Sequence, residues 1–278
     1  MYEHRHPDDD NDHPITWPHR PLPPRGEWVQ TRQTHISASK VALLLGVSKY
    51  VSGKAGIERL RAEYRGVKWD PPAPVRAAME WGNCYEQDAI DQLNFCLQRF
   101  PYASGVYHCN TIYSWCAQNP TYTATLDGVL YKGTVPVAVV EVKCPASLRF
   151  PGDRDARGVK TAIQPDYILQ VQWQMMVTGL RQAWLVYYRP AGGSGVPSIT
   201  GHLRVYRITF DGDLMPSIMN EAQDIWDTYI VPDEADTSTF RSSYHADLLT
   251  RFIKPEQVVL PLHFDTDYLK KVPPQSGR

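Results

Sequence analysis

The sequence predicts an α/β fold in which a central mixed sheet is flanked by helices. Three observations carry that expectation. Strand-like segments run from Val106 to Val142, broken by the turn-rich "AQNPT" and "YKGTVP". A helical pattern from about Pro165 to Thr178 follows, and two more strand-like runs, "QAWLVYYR" and "HLRVYRITF", come directly after it. Such alternation of strands and helices is the signature of a layered α/β arrangement.

The elements can be justified in order. Residues 1–25 contain six prolines, four histidines and four aspartates, with little that could enter a core, so they are expected to form a disordered arm. Its histidines and aspartates fix no ligand geometry and imply only adventitious metal binding. Residues 26–278 are expected to form a single domain, since 42% apolar residues in a chain of 278 suffice for one core. "ISASKVALLLG" reads as a short helix, capped by Ser37 or Ser39 and ended by Gly46. From Pro74 to about Phe100, Met79, Tyr85, Ala89, Leu93 and Cys96 recur near helical spacing. "GDLMPSIMNEAQDIWDTYIV" reads as a closing helix, and no internal repeat is visible.

Composition excludes several classes. Cys84, Cys96, Cys109, Cys116 and Cys144 are scattered and odd in number, so neither a disulfide framework nor a zinc ribbon is indicated. A net charge of −1 excludes coating of nucleic acid by bulk charge, though not a local basic groove. No apolar run approaches the ~20 residues of a membrane span, and the N-terminus lacks the order of a secretion signal. A soluble, intracellular protein is expected.

The chemistry concentrates in "VAVVEVKCPAS". Alternate side chains of an extended chain share a face, so Glu141 and Lys143 point together while Val140 and Val142 point the other way. Burying an ion costs several kcal/mol even after relaxation, so the pair requires a compensating partner, a metal or water. Asp127, in "YTATLDGVLY", would lie beside Glu141 if the chain turns back at "YKGTVP". Two carboxylates forced together repel unless a cation bridges them, and oxygen donors suit magnesium or manganese. The competing interpretation is a surface salt bridge on an edge strand, with Asp127 an ordinary turn residue.

The order Asp, then Glu-x-Lys on a strand, then Gln-x-Gln on a helix resembles the PD-(D/E)XK nuclease superfamily. More closely, the chain resembles the lambda-exonuclease/YqaJ-type viral recombinase family through "EWVQTRQTHISASKVALLLG", "EWGNCYEQDAIDQL", "TATLDGVL", "VVEVKCPASLRF" and "YILQVQWQMMVTGLRQAWLVYY". The proline of the superfamily name is absent, since Leu126 precedes Asp127. The resemblance implies a restriction-endonuclease-like core. It makes Asp127, Glu141 and the carbonyl of Val142 metal ligands, Glu86 a further ligand through water, and Lys143 the catalytic lysine. Gln170 would position the nucleophile or the DNA phosphate, with Gln172 a more remote candidate. Leu169, Trp173 and Met176 read as packing.

The same resemblance places a pocket for a terminal 5′-phosphate at Arg32, Ser37 and Ser39, with Trp28 close by in sequence. Lys40 points physically to the same role, because a cation in a helix's first turn is disfavoured by ~0.3–1 kcal/mol unless an anion docks there. A solvated Lys40 is the alternative. Arg149, six residues after Lys143, falls where the family contacts DNA, near Arg154, Arg157 and Lys160. The implied activity is 5′→3′ exonuclease digestion of duplex DNA. The implied cofactor is magnesium, two ions per site, with manganese as a substitute. Implied partners are duplex DNA ends and a single-strand annealing protein, with a homotrimer as a possible assembly; a viral origin would place the protein in the host cytoplasm or nucleus. Residues 191–278 match no part of the family pattern. An endonuclease on the same core, or a catalytically silent module that binds DNA ends, would share these features.

Overall fold

The computed structural model describes residues 19–20, 25–48, 50–51, 53–99, 107–115, 121–145, 150–151, 163–190, 201–241 and 256–258. Strands β1 (His19–Arg20), β2 (Ile36–Ser37), β3 (Tyr107–Trp115), β4 (Tyr122–Lys132), β5 (Val135–Lys143), β6 (Gln182–Arg189), β7 (His202–Thr209) and β8 (Glu256–Val258) form one eight-stranded sheet. The main path is β1-β3-β4-β5-β6-β7-β8, and β2 joins β4 from the side. The β5–β6 and β2–β4 pairs are parallel and the others antiparallel, so the sheet is mixed as expected. The helices are α1 (Arg25–Thr34), α2 (Ala38–Leu44), α3 (Gly53–Tyr64), α4 (Ala73–Arg99), α5 (Pro165–Thr178) and α6 (Met215–Ile225), the last continued by a π-turn over Trp226–Ile230.

The strands divide two cores between them. Ala138, Val140 and Val142 of β5 pack with Tyr85, Ala89, Ile90 and Leu93 of α4. On the other face Val139 of β5 joins Leu169, Trp173 and Val177 of α5, together with α2, α3 and α6. Glu141 and Lys143 have the parity of Val139, which points them to the α5 side. Helix α5 connects the parallel strands β5 and β6, the crossover that such a pair requires. Pro165 sits in its first turn, and Gly179, at φ 75°, ends it in the left-handed conformation that glycine adopts without a Cβ clash.

Several elements differ from the sequence expectation. Strand β1 lies within the stretch expected to be an arm, pairing His19 with Ser114 and Arg20 with Tyr113; the rest of residues 1–18 and 21–24 lie outside the described residues. Helix α1 is too polar to show a stripe, and α3 contains two glycines that weaken a helical reading. Gly56 has a tertiary reason: a Cβ there would stand 2.8 Å from Leu43 Cδ1, so a larger residue would force the Leu43 side chain of α2 to shift. Ser37 occupies the N-cap of α2, but its side chain makes no capping bond; its Oγ lies 3.4 Å from that of Ser39. Among the described residues, no helix is long and apolar enough to cross a membrane.

Candidate active site

Two irregularities of the sheet meet at Asp127. Between the pairs Asn110–Val129 and Ile112–Leu126, β3 has one residue and β4 has two, so β4 bulges at Asp127–Gly128. Leu126 and Val129, three apart, consequently face the same core, which a regular strand would forbid. At the same point β4 and β5 part: their pairing runs from Lys132–Val135 to Gly128–Val140 and goes no further. The first residues of β4 pair instead with β2, Tyr122 with Ile36 and Thr123 with Ser37. In the gap, Asp127 Oδ2 accepts the N–H of Val142 at 2.7 Å, taking over a bond that a continuous ladder would have made.

Glu141 comes from the α5 side of β5 and is only 2% exposed. Its Oε1 accepts from Lys143 Nζ at 2.5 Å and from Gln170 Nε2 at 2.7 Å, and its Oε2 accepts from Gln174 Nε2 at 2.6 Å. Gln170 closes the ring, because its Oε1 accepts from Lys143 at 3.0 Å. The Tyr167 ring covers the same ammonium, with its centroid 4.6 Å from Nζ. The edge-strand salt bridge is therefore not what forms. Glu141 and Lys143 sit on a central strand, half-buried to buried, and beyond their own pair the side chains that hydrogen-bond to them among the described residues come from one face of α5.

Electrostatics make the site a strained one. Burial pushes the Asp127 carboxyl well above its ordinary range, and the charges of Glu141 and then Glu86 push it further; Lys143 and the Val142 N–H oppose the rise. Glu86, reaching in from α4, is also raised, by burial and then by Glu141, against Lys143. For Lys143, burial favours the neutral amine, but Glu141, Asp127 and Asp166 outweigh it and hold the group above the usual lysine value. The balance in this carboxylate-rich setting favours the charged ammonium. Neighbouring Cys144 is pushed up to about 12 by burial, so its thiol is inert.

Three carboxylates share one lysine, an imbalance that a divalent cation among oxygen donors would relieve. The donor chemistry therefore fits a hard cation. Among the described residues the acidic groups do not already stand as a finished ligand cluster. Glu141 instead gives both oxygens to amides and lysine, and a carboxylate oxygen can accept from more than one side.

A family model described as a YqaJ-like viral recombinase domain matches residues 27–181, more than half of the chain. The chain belongs to that family. Among solved structures, this YqaJ-like domain is similar to an alkaline exonuclease from Laribacter hongkongensis, with a TM-score of 0.50 and 20% identity over 73% of this chain and 91% of that one. A phage-related exonuclease from Haemophilus somnus 129PT matches at a TM-score of 0.46 and 14% identity, over 72% and 96% of the two chains. The likeness to the Laribacter protein shows a common α/β fold. A search of curated proteins finds no match.

Within the YqaJ-like domain, the structure brings Glu141, Lys143 and Gln170 together beside Asp127, and Glu86 of α4 is near enough for its charge to act on Asp127. Gln172 does not join them: it is fully buried, donates to the Thr209 carbonyl at 2.7 Å and accepts from the Asp211 N–H at 2.9 Å, fastening α5 to the end of β7. Gln174 was missed by sequence reasoning. One turn beyond Gln170 it returns to the same helix face, a relation visible in "QVQWQ", and it also reaches the Thr125 carbonyl at 3.3 Å. Lys40 is neither solvated nor poised for phosphate. It is buried and pairs with Glu63 Oε2 of α3 at 3.3 Å, and Arg59 Nε holds the other carboxylate oxygen at 2.9 Å. Ser37 is buried beside the gap in the sheet and Ser39 is exposed. Arg149, Arg154, Arg157 and Lys160, with the side chains of Trp28 and Arg32, lie outside the described residues.

Proposed function

We propose that the YqaJ-like domain is a magnesium-dependent deoxyribonuclease that digests one strand of duplex DNA from a 5′-phosphorylated end, leaving 3′ tails for recombination by strand annealing. The observation that carries this reading is the ring Glu141–Lys143–Gln170, set beside Asp127 where the sheet forks. Family membership and the fold shared with exonucleases support it.

A divalent cation, held by Asp127, Glu141 and the Val142 carbonyl with Glu86 nearby, would neutralise charge on the attacked phosphate. The chain's own groups do the rest. Lys143, kept protonated, offers N–H to the negative charge that grows on phosphoryl oxygen as water adds and the ester bond breaks. Gln170 holds that ammonium by its carbonyl and Glu141 by its amide, so neither can rotate independently. Gln174 fixes the far oxygen of Glu141. Tyr167 shields the lysine from bulk water and strengthens its field.

A digest of linear duplexes bearing 5′-phosphate, 5′-hydroxyl or blocked ends, with magnesium and with chelator, tests the reading. Nucleotide release confined to the phosphorylated end with magnesium supports it, and Arg32→Ala is expected to erase the phosphate preference. Cleavage of closed circular DNA would make the protein an endonuclease instead. End binding indifferent to magnesium, with no release, would make it a silent module.

A further inference from the structure

Tyr50 is 64% exposed, the most exposed large apolar side chain among the described residues. A single exposed ring is ordinary on a protein surface. This one is distinguished by its connections. Its hydroxyl lies 3.5 Å from that of Tyr167, whose ring in turn covers the Lys143 ammonium at 4.6 Å. An aromatic wall therefore leads from the candidate catalytic lysine outward to solvent, and Tyr50 is its outer end. The Tyr50 N–H donates to Ser48 Oγ at 3.3 Å.

We infer that Tyr50 is a stacking platform for the base of the terminal nucleotide, whose 3′ phosphodiester is the bond attacked beside Lys143. The inference rests on the nuclease reading above and names how that site would hold its substrate. The base of that nucleotide lies one sugar from the attacked phosphodiester, a span comparable to the path from Lys143 through Tyr167 to Tyr50. Tyr50 is 64% exposed and its hydroxyl lies 3.5 Å from that of Tyr167, so the ring is the part of the residue that a base can approach from solvent. Every base presents a π-face, which makes such a contact tolerant of sequence, as digestion from any end demands. Lifting an end base out of the duplex costs a few kcal/mol, and stacking on tyrosine offsets part of that cost.

The test uses the full chain and duplexes ending in a 5′-phosphorylated 2-aminopurine nucleotide. In chelator, binding to wild type is expected to change the probe's fluorescence; Tyr50→Phe and Tyr50→Trp keep that change and Tyr50→Ala loses it. In magnesium, Tyr50→Ala is expected to lower kcat/KM on an intact end by roughly five- to a hundred-fold, the size of base–aromatic stacking. On an end whose terminal nucleotide is abasic, wild type and Tyr50→Ala should converge, because the partner of the ring is gone. Equal losses on intact and abasic ends overturn the proposal, as does a Tyr50→Phe variant no better than Tyr50→Ala, which would point to the hydroxyl. A wild type that cleaves nothing would defeat the nuclease reading while the fluorescence comparison still decides the role of Tyr50.

Discussion

Gln174 holds Glu141 from inside α5: its Nε2 lies 2.6 Å from Glu141 Oε2, while Gln170, one turn earlier, holds Oε1 at 2.7 Å. One helix face thus determines the orientation of a buried carboxylate on the neighbouring strand. Replacing Gln174 with alanine leaves that orientation to Gln170 and Lys143 alone. Loss of such a supporting bond typically costs about 10–100-fold in metal affinity or activity. The expected signature for Gln174→Ala is a rise in the magnesium concentration that gives half-maximal digestion. A fall in thermal stability with an unchanged magnesium requirement would assign Gln174 to packing only.

Lys143→Ala should abolish turnover, by about a hundred-fold or more, since it removes the donor aimed at developing charge. DNA-end binding, followed by gel retardation, should remain measurable. Lys143→Arg should not restore turnover, because the planar guanidinium cannot occupy the space between Glu141, Gln170 and the Tyr167 ring in the same way. Undiminished digestion by Lys143→Ala would remove the proposed mechanism.

Asp127 makes a prediction about pH. Burial, then Glu141, then Glu86 raise its carboxyl above the value of about 3.9 expected in the unfolded chain. The folded state therefore binds this proton more tightly than the unfolded state does. The associated stability is fully present below the unfolded pKa and is lost as pH rises through the elevated folded value. Without divalent ions, the Tm should fall as pH is raised above about 3.9 toward the elevated folded value, and Asp127→Asn should flatten that fall. At the upper end the variant should be the more stable protein, each kcal/mol appearing as about 2–4 °C. Magnesium should raise the Tm of wild type and leave Asp127→Asn nearly unmoved; equal shifts in both would contradict the assignment of Asp127 as a ligand.

Lys40 should behave as a structural residue. Lys40→Met leaves the half-buried Glu63 with Arg59 as its remaining partner among the ion pairs of that cluster, a change expected to cost roughly 1–3 kcal/mol, measurable by urea unfolding. The preference for a 5′-phosphate should survive it. Loss of that preference without loss of stability would return Lys40 to the phosphate pocket.

Much of the site was legible because its pieces are local in sequence. Glu141 and Lys143 share a face by the two-residue period of a strand, and the glycine turn at "YKGTVP" brings Asp127 back beside them. Gln170 needed the family pattern to be noticed at all. Gln174 and Gln172 show the limit. Both are buried glutamines on α5, two residues apart, yet one serves the carboxylate and the other the end of β7, because the helix turns them to opposite sides. The sequence expectation kept Gln172 as a remote candidate beside Gln170 and passed over Gln174, having no means of telling which side faced the site.

By itself the chain of residues determined the alternation of elements, the polar face of β5 and the hairpin that pairs it with β4, since each follows from periodicity or turn chemistry over short spans. Only the tertiary structure decided what those charges meet. The bulge at Asp127, the splitting of β4 from β5, the burial of Lys40 against Glu63 and the aromatic path from Lys143 to Tyr50 all join segments distant in sequence. Contacts of that kind are fixed by how the layers pack, and no local pattern of side chains encodes which distant partner a buried charge will find.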